Sequence, residues 1–165
     1  MSLIRWLLDF WDILMGSSDF ELPIFLHDVV SQSAYDRWLR RKAAAHVRRD
    51  RKRGRFGAAY SNYRKAIHSA VIESGGKDAY TGEALDWELI SKYDNRASKE
   101  GRHRYKAALA MLPTIDHVDA ASTSSTFRIC AWRTNDSKND LTFEGFIALC
   151  TKVLVNAGYV VERSE

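Results

Sequence analysis

The last third of the chain holds two short β-prone runs and an amphipathic helix, and this order constrains the fold more than any other feature of the sequence. The runs cover Thr114–Val118 and Phe127–Trp132, and a Ser/Thr-rich loop over residues 119–126 joins them. Thr142 is a suitable cap for the helix, and Gly158 lies just beyond its end. The apolar stripe of this helix consists of Phe143, Phe146, Ile147, Cys150 and Leu154. We therefore expect a β-hairpin followed by a helix in this region.

The first half of the chain reads as helical. Residues 33–52 are predicted to form one helix, with Ser33 as its cap. Residues 58–74 are predicted to form another, because their apolar positions recur at helical spacing and the Gly75-Gly76 pair follows. Together with the hairpin, these helices indicate an α+β protein.

The middle of the chain connects the two halves. Residues 95–112 are expected to hold a polar linker and then a short helix, which Pro113 stops. The residue pattern of the sequence changes near residue 77, so we predict two regions. These are a helical N-terminal region at 1–76, which contains a basic helix, and a core at 77–165.

The N-terminal segment Leu3–Met15 is apolar at ten of its thirteen positions. It is shorter than the roughly 20 residues that a bilayer-spanning helix needs, and it lacks the basic start and small-residue cleavage site of a signal peptide. We expect it to dock on the body of the protein or on a second copy in a homodimer, with a membrane-surface anchor as the alternative. No membrane partner is predicted.

The two cysteines, Cys130 and Cys150, lie 20 residues apart and do not form a C-x-x-C motif. Neither a disulfide framework nor a cysteine zinc site is indicated by that spacing. A reducing compartment, and hence a cytoplasmic location, is the prediction.

The positive charge is concentrated in one segment. The whole chain has a net charge of only +4, yet residues 37–55 carry ten Lys and Arg against the single Asp50, a local balance of +9. These cations cover more than one side of the predicted helix, which favours contact with a phosphate backbone over a solvated face. The residues expected to bind nucleic acid here are Arg48, Arg49, Arg51, Lys52, Arg53 and Arg55.

Asp116 and His117 stand together at the end of the first predicted strand, and an N-x-x-K sequence, Asn135 to Lys138, follows the second. With "IDHVDA", "FRICAW" and "TNDSKNDLTFEGF" in this order, residues 79–154 resemble the HNH family of endonucleases, also called ββα-metal or His-Me finger nucleases. The resemblance implies a ββα-metal core that hydrolyses phosphodiester bonds and leaves a 5′-phosphate and a 3′-hydroxyl. An Asp-His pair without this context would indicate only a structural hydrogen-bonded pair.

The residue types also suit this chemistry in physical terms. Phosphodiester hydrolysis needs a base for the attacking water and a cation for the charge that develops on the phosphate. His117 is the candidate base, because an imidazole with its ordinary pKa near 6.5 is neutral at physiological pH. Asp116 and the side-chain carbonyl of Asn135 are candidate ligands of a hard divalent cation, Mg²⁺ or alternatively Mn²⁺. Asn139, four residues later, is a further candidate ligand, and its alternative is turn formation.

The match departs from the family pattern in three places. The middle Asn, which in the family orients the catalytic His, is absent, and Ser125 or Thr126 falls there. The cysteine pairs that bind structural zinc in many members are also absent, with Tyr80 near one of those positions, so no structural zinc is expected. Asn135 stands where many members have His.

The sequence thus favours a metal-dependent endonuclease that binds DNA, and RNA remains an open alternative. Arg133 and Lys138 are expected to contact phosphate, with a solvated surface pair as the alternative. Two further functions stay open. One is a catalytically degenerate module that only binds nucleic acid, and the other is a nuclease toxin effector with a protein partner.

Overall fold

The computed structural model describes residues 20–54, 59–118 and 126–162. The predicted helix at Leu3–Met15 lies outside these residues, as do Arg55 and most of the loop between the two strands. The described parts form a mixed α+β structure whose sheet has two antiparallel strands.

A short 3-10 turn at Ile24–Leu26 precedes the regular elements. In chain order these are α1 (Gln32–Lys52), α2 (Tyr60–Ser74), α3 (Leu89–Lys92), α4 (Asn95–Ala108), β1 (Pro113–His117), β2 (Phe127–Ala131), α5 (Trp132–Lys138) and α6 (Phe143–Asn156).

The two helices predicted in the first half are confirmed, with small shifts at their ends. The cap of α1 is Ser31 and not Ser33, since the Ser31 side chain accepts a hydrogen bond from the backbone N–H of Ala34 at 3.2 Å. Helix α2 ends at Gly75, whose φ of 54° is the left-handed conformation that favours glycine. The two helices pack against each other through buried side chains. These include Tyr35, Leu39, Ala43 and Val47 of α1, and Tyr63, Ile67 and Val71 of α2.

The prediction of a polar linker before the hairpin is wrong, because helix α4 begins at Asn95. The Asp94 side chain caps it by accepting from the N–H of Ala97 at 2.7 Å, and Arg96 pairs with Glu100 one turn later. A cap and an i,i+4 ion pair support a helix that lacks an apolar stripe. The helix ends at Ala108, four residues before the predicted end.

The predicted hairpin is confirmed. Strands β1 and β2 pair in an antiparallel register that places Asp116 opposite Arg128 and His117 opposite Phe127. Every residue of β1 is buried, because α2 packs on β2 and α5 packs on β1. The hairpin is therefore enclosed between helices, which fixes the side chains at its open end.

The region after β2 holds two helices, whereas the sequence predicts one. Helix α5 follows β2 directly and contains the N-x-x-K sequence, and it ends at Asn139, whose φ is 50°. Thr142 caps α6 as predicted, accepting from the N–H of Gly145 at 3.1 Å. The predicted apolar stripe does not enter the described core, since no residue of α6 is buried.

One hydrophobic cluster holds the described residues together, and it draws on both sides of position 76. Trp38 of α1 and Trp87, for example, meet edge to face with ring centroids 5.5 Å apart. The basic helix is thus packed against the hairpin region. Within the described ranges, no helix combines the length and the apolarity needed to cross a bilayer.

Candidate nuclease site

The carboxylate of Asp116, at the end of β1, is buried and has two close partners. Only 7% of the residue is exposed. The hydroxyl of Tyr80 donates to Oδ2, and Nζ of Lys138 lies 3.1 Å from Oδ2 and 3.3 Å from Oδ1. Burial, and then the hydrogen bond to Asp116, raises the pKa of Tyr80, so its hydroxyl stays a donor. The carboxylate therefore already interacts with one cation and one neutral donor.

Tyr80 is positioned by a tight turn that Asp78 holds in place. One carboxylate oxygen of the buried Asp78 accepts from the N–H groups of Tyr80 and Thr81, at 2.8 and 3.2 Å. Its other oxygen accepts from the N–H of Ala131 at the end of β2, at 2.8 Å. Asp78 thus ties the turn to the hairpin and brings the Tyr80 hydroxyl to Asp116.

His117 faces a different set of partners, as neighbouring residues of a strand must. Its Nε2 lies 3.1 Å from Oδ2 of Asp50, and the side chain of Asp50 is fully buried. The hydroxyl of Tyr63 donates to the same oxygen at 2.5 Å. The imidazole also packs against the rings of Phe127 and His46, with centroids 4.7 and 5.4 Å away. Groups from α1, α2, β1 and β2 thus fix its position.

Asp50 and Tyr63 are the site residues that the sequence analysis missed. A signal for Asp50 was present, since it is the one acidic residue among ten cations and continues the buried stripe of Leu39, Ala43 and Val47 at helical spacing. Helical periodicity places Tyr63 on the apolar face of its helix, and no local pattern indicates that its hydroxyl reaches α1.

The residues predicted for metal binding and base catalysis border one cavity of about 410 Å³. Its walls include Asp116 and His117 from β1 together with Asn135 from α5 and Asn139 just beyond it. The cavity therefore gathers four polar residues from two stretches of sequence. Two arginines also border the cavity: Arg49 of the basic helix and Arg53, which caps the C-terminal end of that helix.

Most of the other predicted nucleic-acid contacts in the described residues lie away from this cavity, and Lys138 borders it. Arg51 and Lys52 border a separate concavity beside Tyr60, and Arg48 also borders it. Arg133 pairs with Glu83 at the surface. Lys138 is only 3% exposed and lies on Asp116, as described above. Of the predicted arginines that the structure describes, Arg49 and Arg53 border the cavity of Asp116, and Arg48, Arg51 and Arg133 do not.

The donor set around this cavity suits a hard cation. The described residues contain no cluster of three or more His, Cys, Asp or Glu side chains that could hold a metal ion. A cation here would instead rely on the Asp116 carboxylate and the amide oxygens of Asn135 and Asn139, with water and phosphate as further ligands. The ammonium of Lys138 stands at the same carboxylate, so it would have to move when the cation binds.

Comparisons with known proteins add no family to this description. No family model matches the chain, and neither a curated protein nor a solved structure matches it.

Proposed function

We propose that this protein is a metal-dependent endonuclease of the HNH type that hydrolyses phosphodiester bonds of DNA. The observation that carries the proposal is the shared cavity. Asp116, His117 and Asn135, chosen from sequence for metal binding and base catalysis, border the same space as Arg49 and Arg53 of the basic helix. A phosphate that enters this space meets two guanidinium groups and the proposed reactive residues together.

His117 is the proposed general base. Nε2 is the imidazole nitrogen that lies 3.1 Å from Oδ2 of Asp50, and in this proposal it carries the proton, because a carboxylate oxygen can only accept a hydrogen bond. Nδ1 is then the nitrogen left to take a proton from the attacking water, and because this atom is buried here, the water has to reach it from the cavity that His117 borders. The buried Asp50 stabilises the imidazolium that forms, and Tyr63 holds Asp50 in place.

Asp50 also accounts for the missing Asn of the family pattern. In the family, that Asn orients the catalytic His, whereas here a carboxylate from α1 lies against the imidazole. Of the two residues at the expected position, Thr126 is exposed and Ser125 lies outside the described residues. The orienting group in this proposal therefore comes from the basic helix and not from the hairpin loop.

Asp116 and Asn135 are the proposed holders of the divalent cation, with Asn139 as a further ligand. The cation supplies electrostatic stabilisation of the negative charge that develops on the phosphate and the leaving oxygen. Without the cation, the ammonium group of Lys138 pairs with Asp116. If the cation displaced it, Lys138 would still border the cavity and could contact the phosphate there.

A second candidate function is a binding module without catalysis. The contact between Lys138 and Asp116 favours it, because an ammonium group can neutralise the carboxylate permanently in place of a metal ion. In that case Arg49 and Arg53 would still bind phosphate, but no metal-activated reaction would follow.

A cleavage assay with defined metals separates these functions. Purified protein is incubated with plasmid and with single-stranded DNA in Mg²⁺, in Mn²⁺ and in EDTA, and the 5′ ends of the products are tested for phosphate by ligation. The nuclease proposal expects cleavage with metal and none in EDTA. His117→Ala should abolish it, whereas the exposed His103→Ala, prepared identically, should leave it unchanged. Tight DNA binding without cleavage in any metal would instead identify a module.

A further inference from the structure

Helix α1 presents a second stripe of side chains beside the one that packs on α2. Trp38, Lys42, Arg49 and Arg53 recur at intervals of four, seven and four residues along it, which places them on one side of a helix. This side borders a second concavity, of about 360 Å³, between α1 and the β1–α5 unit. We call this concavity the α1–α5 groove. The following residues border both it and the catalytic cavity: Arg49, Ile115 and Asn135.

The α1–α5 groove is cationic. Among the residues that the structure describes, four cations and no carboxylate border it. They are Arg41, Lys42, Arg48 and Arg49. Burial is the main cause that lowers the pKa of Lys42 to about 8, and the neighbouring Arg41 contributes. An anion bound near Lys42 would offset this cost, so the groove suits a ligand with negative charge.

The far end of the groove is aromatic. Tyr93 and Trp132 meet edge to face with ring centroids 5.8 Å apart, and both are partly exposed. The guanidinium of Arg41 lies 5.3 Å from the centroid of the Tyr93 ring. Unpaired bases stack on aromatic rings and on guanidinium planes of this kind.

Two buried polar atoms at the wall of the groove have no hydrogen-bond partner in the structure. They are Nε1 of Trp38 and Nδ1 of His46, and both residues border the groove. Burial is the largest of the effects that lower the pKa of His46 to about 2, so this imidazole is neutral. Both atoms are themselves buried, so they lie behind the wall of the groove and not on its open surface, and the case for a ligand depends on the cations and the aromatic rings.

We infer that the α1–α5 groove binds an unpaired DNA strand and leads it to the cavity of Asp116, so that the substrate is single-stranded or locally unpaired DNA. The inference rests on the proposed nuclease function, which it narrows. Phosphates follow the cations of α1, and a base lies at the Tyr93–Trp132 end. In a duplex the faces of the bases are stacked and hidden, and a duplex would offer this groove only its backbone.

The test is equilibrium binding of the full chain in EDTA, where no hydrolysis can interfere. Fluorescence anisotropy compares a labelled single-stranded 12-mer, its duplex, and the same strand with abasic sites. We expect the single strand to bind at least tenfold more tightly than the duplex. Removing the bases should weaken binding by about 5- to 100-fold, the range that base–aromatic stacking supplies. The salt slope should be near −2 to −3 if three or four phosphates are bound, at roughly −0.7 for each.

Two variants locate the binding to the groove. Tyr93→Leu should reduce the difference in affinity between the normal and the abasic strand. Lys42→Met should weaken the binding of both strands. Arg96→Ala is the matched control, because Arg96 is an exposed arginine of α4 that pairs with Glu100. This variant should bind the normal and the abasic strand with the affinities of the wild type. Thermal unfolding checks that each variant folds.

The outcomes separate this inference from the proposed function. Equal or tighter binding of the duplex, or no effect of removing the bases, overturns the inference that the groove binds an unpaired strand, even if the protein cuts DNA with metal. Preferential binding of the single strand without cleavage in any metal supports the groove and overturns the nuclease.

Discussion

Nε2 of His117 and Oδ2 of Asp50 lie 3.1 Å apart, although the two residues are 67 positions apart in the sequence. The contact joins the end of β1 to the last turn of the basic helix. It is enclosed, because the side chain of His117 is only 5% exposed and that of Asp50 is fully buried. The basic helix thus also supplies a buried carboxylate that faces the proposed base.

Asp50→Asn should lower the rate constant of cleavage by about 10²- to 10⁴-fold and leave KM within about threefold. The amide can present its N–H to Nε2, which would stabilise the wrong tautomer of His117. Kinetics on a saturating DNA substrate measures the rate, and ¹⁵N NMR of the imidazole reports the tautomer directly. Tyr63→Phe is the matched control, since it keeps the carboxylate and should have a much smaller effect. A normal rate in Asp50→Asn would contradict the assigned role.

Lys138→Met should raise the affinity for Mn²⁺ by about tenfold or more, corresponding to roughly 1.4 kcal/mol. The ammonium lies 3.1 Å from Oδ2 of Asp116 and competes with any cation for that carboxylate. Titration calorimetry or the EPR signal of free Mn²⁺ measures the affinity without any DNA. Lys106→Met is the control, because Lys106 pairs with Asp136 at the surface. Unchanged Mn²⁺ affinity in Lys138→Met would mean that the cation does not bind at Asp116.

The local elements of this fold could largely be predicted from sequence, whereas several partners of the site could not. The hairpin, the Thr142 cap and both early helices follow from β-propensity, capping residues and helical periodicity. These signals lie within a few residues of each other. Helix α4 was missed because its support comes from the Asp94 cap and an ion pair, and neither leaves an apolar pattern.

The candidate site likewise combines residues that short sequence motifs identify with contacts between distant parts of the chain that no motif predicts. Asp116, His117 and Asn135 were identified from short motifs, and they border one cavity. The contact of Asp50 with His117 depends on how α1 packs across the hairpin, which no local spacing encodes. The sequence predicts that Lys138 contacts phosphate, with a solvated surface pair as the alternative, but in the structure Lys138 is buried against Asp116.

Protonation of His46 should destabilise the protein in acid. The pKa of His46 is lowered to about 2, first by desolvation and then by Arg49, His117, Lys42 and Arg53. The unfolded chain, in which the pKa is near 6.5, binds this proton much earlier than the folded protein does. Stability from the neutral imidazole is therefore present above about pH 6.5 and is lost as the pH falls towards 2, with a loss of up to about 3 kcal/mol by pH 4.

Urea unfolding between pH 4 and 8 measures this dependence, and His46→Leu should flatten it relative to the wild type. The exposed His103→Leu serves as the control and should keep the wild-type dependence. Parallel curves for wild type and His46→Leu would show that His46 does not contribute to it.

Arg53→Ala should weaken DNA binding and reduce the magnitude of its salt slope, because Arg53 borders the cavity of Asp116 and is placed to neutralise one phosphate. The slope should fall by about 0.7 for a single strand or about 0.9 for a duplex. Anisotropy titrations in EDTA at several salt concentrations measure both quantities. Arg133→Ala is the comparison, since Glu83 already pairs with Arg133 and neutralises it locally, and its slope should stay at the wild-type value. Should Arg133→Ala lower the slope while Arg53→Ala does not, the backbone would run along the outer surface of α5 and not through the cavity.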